Sequence, residues 1–124
     1  MATEQAQHGD ERPLLIDLVE LLAAHGDHTY REFLRVPALS LGLFAAPPGH
    51  EDTQQPHERD EVYVVLEGRA VLEVSGTRAP VSAGSVAYVP ARAPHRFVQV
   101  SEDLRVLVLF APPDDVRTLT EAST

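Results

Sequence analysis

Short runs of Val, Leu, Tyr and Phe separated by turn residues fill most of the chain, and this pattern limits the folds open to it. Runs of four to eight such residues, bounded by Gly, Pro, Ser and Asp, are typical of β-strands. The predicted strands are residues 29–36, 39–45, 61–66, 70–74, 85–89, 95–100 and 104–110. Many short strands with a turn signal about every 8–12 residues indicate a sandwich or a barrel. We therefore expect one all-β domain.

A helical pattern precedes the strands. The apolar residues that recur at helical spacing are Leu14, Leu15, Leu18, Val19, Leu21 and Leu22. Pro13 suits the first position of a helix, and Gly26 suits the position that follows its end. We expect one amphipathic helix over residues 13–25, packed on its own domain or on a partner subunit.

Side-chain alternation along two of the strands places polar groups beside apolar ones. Successive side chains of a strand point to opposite faces, so Glu61 and Tyr63 share one face of their strand. His95, Phe97 and Gln99 share a face in the same way. If both faces line the inside of a barrel, a carboxylate and an imidazole converge in a pocket instead of reaching water.

The stretch from Gln55 to Gly68 resembles the first sequence motif of the cupins. In that motif two histidines spaced HxH are followed by three or four residues, a glutamate, six residues and a glycine. His57, Glu61 and Gly68 stand at these spacings. Gln55 stands at the position of the first histidine.

A second stretch resembles the second cupin motif, which is a glycine, five residues, proline, one residue, glycine, two residues, histidine, three residues and asparagine. Gly84, Pro90 and His95 match it, whereas Arg92 replaces the second glycine and Gln99 replaces the asparagine. Arg92 either occupies a turn that suits glycine, at a cost of about 1–2 kcal/mol, or the turn differs. With two motifs in the right order on strand–turn boundaries, the chain is identified as a small single-domain member of the cupin superfamily.

The resemblance implies an all-β jelly-roll barrel, a double-stranded β-helix, that holds a metal ion inside. The implied organisation is a flexible tail over 1–12, one cupin domain over 13–113 with its barrel at 29–111, and a C-terminal tail over 114–124. His57, Glu61 and His95 match the metal ligands of the family. Gln55 takes the fourth position, either as a direct ligand or through a bound water. Tyr63, Phe97 and Gln99 would line the cavity.

The implied ligand set limits which metal ions and which reactions the site would support. Two neutral imidazoles and one carboxylate leave open positions on Fe(II) for a substrate or O₂. Fe, Mn, Ni and Zn are all candidate ions, and Glu61 is the one candidate for a catalytic base. Glu58 and Asp60 are interpreted as a solvated acidic turn, although a one-residue slip in register would let them compete for the ion.

Composition and charge exclude several functions. The formal net charge of −9 opposes binding to nucleic acid or anionic lipid. The chain has no cysteine, which excludes disulfides and thiolate ligands, and no lysine, which excludes a side-chain Schiff base. The apolar stretch over residues 14–24 carries Asp17 and Glu20 after an acidic leader, which argues against export and favours a cytoplasmic protein.

The expected function is that of a metal-dependent enzyme acting on a small oxygenated organic molecule, of the dioxygenase or the isomerase/cyclase type. The alternative is a cupin that binds a small molecule without turnover, because the replacement at Gln55 resembles a step towards a degenerate site. A regulatory role on DNA is disfavoured by the charge and by the absence of a helix-turn-helix pattern. An unpaired edge strand and the resemblance both suggest a homodimer.

Overall fold

The computed structural model of the chain describes residues 12–26, 29–52 and 58–113. Its elements in chain order are α1 (Leu18–His25), β1 (Tyr30–Val36), β2 (Leu39–Ala46), β3 (Asp60–Val74), β4 (Thr77–Ser82), β5 (Val86–Val89) and β6 (His95–Ala111). Every strand pairing is antiparallel. The predicted all-β fold with one N-terminal helix is confirmed.

The two long strands, β3 and β6, form the centre of the sheet. The strand order is β1-β2-β6-β3-β4, and β5 also pairs with β3. The first half of β3 pairs with β5 and its second half pairs with β4, while β6 follows β3 along most of its length. This arrangement is the jelly-roll barrel that the sequence resemblance implies, with its core between the two halves of the curled sheet.

One predicted break between strands is a bulge inside β3. The sequence predicts separate strands at 61–66 and 70–74, but Gly68 continues one strand, and the pairing with β6 shifts register around it. Gly68 has a φ of +95°, and a Cβ atom there would collide with the backbone of Asp103. The glycine therefore permits a close crossing of two backbones, which is a common reason for glycine within a strand. The predicted break at residues 101–103 likewise lies within β6.

The strand β4 is absent from the predicted set. Its sequence contains Pro80 and a charged residue, and four of its residues are exposed, so it shows no alternation. It pairs with β3 through a tight turn in which Ser75 and Gly76 both have positive φ, at +50° and +84°. Two positive φ values in succession are the requirement of a two-residue hairpin turn.

The helix begins later than predicted. Asp17 has extended backbone angles, and its side chain accepts a hydrogen bond from the Glu20 amide at 3.2 Å, so α1 starts at Leu18. The helix ends at Gly26 with a φ of +63°, where the sequence places its end. Its apolar face packs on the outside of the sheet, where Leu21 contacts a cluster that includes Phe33 and Leu43. No helix of the described residues has the length and apolar character needed to cross a membrane.

The main core fills the inside of the fold. Its largest members are Phe44, Tyr63, Phe97, Leu104, Val106 and Phe110, which are each at most 1% exposed. Alternate residues of the first half of β3 belong to this inward row, so Glu61 and Tyr63 both point into the interior, as the alternation predicts. The fold therefore carries one carboxylate directly into an apolar core.

Candidate metal site

Glu61 and His95 meet inside the fold. His95 Nε2 lies 3.0 Å from Glu61 Oε1, and each side chain is 1% exposed. Glu61 stands at the start of β3, whereas the backbone of His95 pairs with Val74 at the far end of the same strand. Only the curling of the sheet brings the two side chains together.

The hydrogen bond at the other ring nitrogen of His95 determines which nitrogen carries the hydrogen. His95 Nδ1 lies 2.9 Å from the carbonyl oxygen of Ala93, which can only accept a hydrogen bond. Nδ1 therefore carries a hydrogen, and in the neutral ring Nε2 presents a lone pair towards Glu61. Two acceptors at this distance require a proton or a cation near both. A backbone carbonyl on the far nitrogen is also the usual support of a metal-binding histidine.

The spacing of the pair suits a shared metal ion. Two donors that each bind one ion at about 2.1 Å lie roughly 3.0 Å apart when their bonds are at right angles. The second carboxylate oxygen, Glu61 Oε2, is buried, and it receives no hydrogen bond from the described residues. A buried carboxylate oxygen in this state is costly unless a ligand or ion compensates it. Imidazole nitrogen and carboxylate oxygen are suitable donors for Fe, Mn, Ni and Zn.

The alternative to a metal ion between His95 Nε2 and Glu61 Oε1 is a proton. Burial alone would lower the pKa of His95, but the hydrogen bond and the charge of Glu61 outweigh it and raise that pKa. The raised pKa means that the site favours a proton on the His95 ring beside Glu61. A metal ion must displace this proton, so its binding competes with acid.

Aromatic rings form the wall beside the pair. The Tyr63 ring centroid lies 5.0 Å from that of Phe97 and 6.1 Å from that of His95, and Phe97 stacks on Phe44 at 5.7 Å. Burial, and then the nearby Glu61 carboxylate, raise the pKa of Tyr63 well above 10, so its hydroxyl keeps its proton. That hydroxyl approaches the carboxylate but forms no hydrogen bond of good geometry with the described residues. It is available as a donor to a ligand.

Comparison with known proteins decides the family. Residues 42–110, which include both members of the pair, match the Cupin domain family. The chain belongs to the cupin family. Cupins commonly bind a metal ion.

Relatives of this cupin include proteins of known and unknown activity. An uncharacterised protein of Streptomyces coelicolor is 48% identical over 99 residues, which cover 80% of this chain and 94% of the relative. The dimethylsulfoniopropionate lyase DddW of Ruegeria pomeroyi is 34% identical over 71 residues, which cover 57% of this chain and 47% of that enzyme. The solved structure of an RmlC-like cupin from Shewanella frigidimarina has a TM-score of 0.62 at 22% identity, over 67% of this chain and 74% of that one. This last similarity concerns the fold alone.

Two of the four predicted ligands of this cupin lie outside the described residues. Gln55 and His57 belong to the segment 53–57, whereas Glu61 and His95 are described and adjacent. Within the described ranges, no group of three His, Asp or Glu side chains is placed to hold a metal ion. The pair therefore represents the described half of the predicted ligand set.

The structure does not place Gln99 where its predicted role in lining the cavity requires. Alternation along β6 predicts Gln99 on the face of His95 and Phe97, but Gln99 is exposed and the next buried residue is Val100. Its φ of +51° explains the change, because a left-handed residue breaks the two-residue period of a strand. Gln99 lines a surface cavity of about 240 Å³, together with His50 and Asp52, instead of facing the Glu61–His95 pair.

The turn before His95 keeps the conformation that favours glycine. Arg92 has a φ of +67°, so the first of the two predicted alternatives applies and an arginine occupies a left-handed position. Its guanidinium forms an ion pair of 3.4 Å with Glu58, but both side chains are largely exposed, so this contact adds little stability.

Asp60 supports the loop beside the site and points outward. Its Oδ1 accepts hydrogen bonds of 3.0 Å from the Tyr88 hydroxyl and from the Ala91 amide. The neighbouring Glu61 faces the interior, so β3 has the register predicted for ligation by Glu61. Asp60 and Glu58 are thus surface residues, in agreement with their interpretation as an acidic turn.

The sequence alone gives no indication of a further buried carboxylate, that of Asp52. It lies in the loop after β2, is 7% exposed, and its Oδ2 accepts a hydrogen bond of 2.9 Å from the Phe97 amide. An isolated acidic residue in a loop has no periodicity or motif that would distinguish it from a solvated one.

Proposed function

We propose that this cupin binds one divalent metal ion through Glu61, His95 and His57, with Gln55 at a fourth position. The bound ion serves a reaction on a small oxygenated organic molecule. The observation that carries the proposal is the approach of His95 Nε2 and Glu61 Oε1 to 3.0 Å, with the other ring nitrogen held by Ala93. This is the spacing and support expected of two ligands to one ion.

The ion would supply Lewis acidity towards an oxygen of the substrate, or redox chemistry with O₂ if it is iron or manganese. The chain itself would do the rest. The Tyr63 hydroxyl, which keeps its proton, would donate a hydrogen bond to a substrate oxygen, and the buried Glu61 Oε2 would accept a proton. Phe44 and Phe97 exclude water from one side, since each is 1% exposed.

Three reaction types fit this arrangement. A dioxygenase and an isomerase or cyclase both use an ion with open positions next to an apolar wall. The similarity to a dimethylsulfoniopropionate lyase over about half of that enzyme adds a lyase to the set. An isomerase and a lyase share the removal of a proton from carbon, for which Glu61 is the candidate base.

A second candidate is a binding protein without turnover. The observation that favours it is the amide side chain of Gln55 at a position where the family motif has an imidazole. An amide oxygen is a weaker donor than an imidazole, so the ion would be held less tightly. In this alternative the ion and Tyr63 orient a small ligand, but no bond is broken.

The metal content of untagged protein tests the first proposal. We expect close to one equivalent of a divalent ion in the wild type, by elemental analysis after dialysis, and a large loss in Glu61→Gln, His95→Ala and His57→Ala. Glu58→Gln is the matched control, because it makes the same change at an exposed position of the same segment. If the wild type and Glu61→Gln contain equal traces of metal, the proposal is wrong.

Turnover separates the two candidates. Metal-loaded protein is incubated with dimethylsulfoniopropionate and with a set of small hydroxy and oxo acids, and loss of each compound is followed by NMR. Loss that depends on both the ion and Glu61 supports an enzyme, whereas saturable binding of an unchanged compound supports the binding protein. The homodimer and the cytoplasmic location stay predictions, and light scattering of the purified chain tests the first of them.

A further inference from the structure

Asp52 joins the loop after β2 to the strand that carries His95. Its Oδ2 accepts a hydrogen bond of 2.9 Å from the amide of Phe97, which lies two positions after His95. The same loop is joined to β6 a second time, where the Gly49 amide donates to the Val100 carbonyl at 2.9 Å. Two bonds therefore fix the loop along the first part of β6.

We propose that Asp52 is a positioning residue of the metal site, which holds the part of β6 that carries His95 against the loop after β2. This inference rests on the proposed function. In the sequence, Asp52 precedes Gln55 by three positions and His57 by five.

The chemistry of Asp52 supports a role beyond packing. A carboxylate that is 7% exposed loses much of its hydration, and hydrogen bonds such as that from the Phe97 amide offset part of this cost. A charged acceptor also makes a shorter and stronger bond than a neutral one, so it holds Phe97 firmly. The Phe97 ring also contacts Tyr63 and Phe44, so a shift of its backbone would move the aromatic wall as well.

The described geometry separates Asp52 from the ligands themselves. No three acidic or histidine side chains among the described residues are grouped to hold an ion, so Asp52 does not complete a triad with Glu61 and His95. Asp52 acts on His95 through the hydrogen bond from the Phe97 amide, two positions along β6.

Two substitutions distinguish positioning from charge. Asp52→Asn keeps an oxygen that can accept from Phe97 but removes the charge, whereas Asp52→Ala removes both. Glu51→Ala is the control, since it removes an exposed carboxylate from the adjacent position. Asp52→Leu has a shape close to that of aspartate without an acceptor, and it replaces Asp52→Ala in the test if the latter fails to fold.

The probe is Co²⁺ added to the full untagged chain. We expect Asp52→Ala to weaken Co²⁺ binding by about 10–100-fold, the usual effect of losing a residue that supports a ligand, and to change the visible absorption of the bound ion. Asp52→Asn should stay within about threefold of the wild type, because the bond to Phe97 persists. In the metal-free protein, hydrogen exchange at the Phe97 amide should accelerate in Asp52→Ala and not in Asp52→Asn.

The outcomes separate this inference from the proposed function. A wild type that binds no Co²⁺ overturns the metal site, and the positioning role with it. A wild type that binds, beside an Asp52→Ala variant with the same affinity, spectrum and Phe97 exchange, overturns the positioning role alone. An Asp52→Asn variant as weak as Asp52→Ala also overturns it, because the charge or direct ligation would then be responsible.

Discussion

Glu61 Oε1 and His95 Nε2 lie 3.0 Å apart, although the backbone of His95 is paired with the opposite end of the strand that begins beside Glu61. The strands β3 and β6 are long enough to curl around the core, so that their starts face each other across the interior. Both side chains are almost completely buried, which places an ionisable pair where water cannot compensate it. The raised pKa of His95 favours a proton beside Glu61, and a divalent ion is the proposed occupant of the site.

Removal of the metal ion should destabilise the wild type. An ion at a concentration 100-fold above its dissociation constant adds about 2.7 kcal/mol to the free energy of unfolding. For a domain of this size that corresponds to a fall in Tm of roughly 5–15 °C on chelation. Scanning calorimetry with and without EDTA measures it. Glu61→Gln should show no such difference while Glu58→Gln behaves as the wild type, and an equal response of all three would place the ion elsewhere.

Tyr63→Phe should leave metal binding intact and weaken binding or turnover of the small-molecule ligand. The change keeps the ring contacts with Phe97 and His95 but removes a buried hydroxyl that has no hydrogen bond of good geometry with the described residues. We expect the free energy of unfolding to change by less than about 1 kcal/mol and metal content to be preserved. Affinity or turnover for the small-molecule ligand should fall. Unchanged ligand affinity and turnover would exclude Tyr63 as the donor.

Gly68→Ala should be far more destabilising than Gly76→Ala. Both glycines have positive φ, at +95° and +84°, so both substitutions carry a backbone cost of about 1–2 kcal/mol. A Cβ at Gly68 additionally collides with the Asp103 backbone, whereas a Cβ at Gly76 meets nothing within 4 Å. Urea denaturation of the two variants measures the difference. Equal losses would mean that β3 and β6 do not cross closely at the bulge.

Arg92→Gly should stabilise the fold or leave it unchanged. The φ of +67° costs an arginine roughly 1–2 kcal/mol relative to glycine, and the exposed ion pair with Glu58 that would be lost contributes little. The midpoint of thermal unfolding tests this, with Arg69→Gly as the control for loss of an exposed arginine from a strand. A clear drop in Tm for Arg92→Gly would show that its side chain has a structural role.

Stability in acid should depend on Glu73. This residue joins three strands, because its carboxylate accepts from Arg78 of β4 and from Arg96 of β6, each at 2.9 Å. These hydrogen bonds, with that from Arg78 first, lower its pKa from 4.5. A lowered pKa means stability that is present above pH 4.5 and is lost as pH falls through the folded-state value. Glu73→Gln should flatten that part of the unfolding curve, and Glu102→Gln should leave it unchanged.

Structural features that depend on neighbouring residues could be predicted from the sequence, whereas features that depend on distant residues could not. The inward direction of Glu61 and Tyr63 follows from alternation along a few residues of one strand. The end of α1 at Gly26 follows from a local cap. Gly68 shows the limit of such local prediction. A glycine indicates that the backbone adopts an unusual conformation, but it does not indicate whether the chain turns or forms a bulge. Only the passage of Asp103 beside it makes it a crossing point.

Local patterns in the sequence therefore predict the strand-rich architecture, the inward row of β3, and the candidate ligands at their motif spacings. The contacts between distant segments follow from the closure of the sheet, and they include the approach of Glu61 to His95 and the bond from Phe97 to Asp52. The physical reason is that side-chain direction is set by neighbouring backbone dihedrals, whereas separation in space is set by how the whole sheet closes on its core.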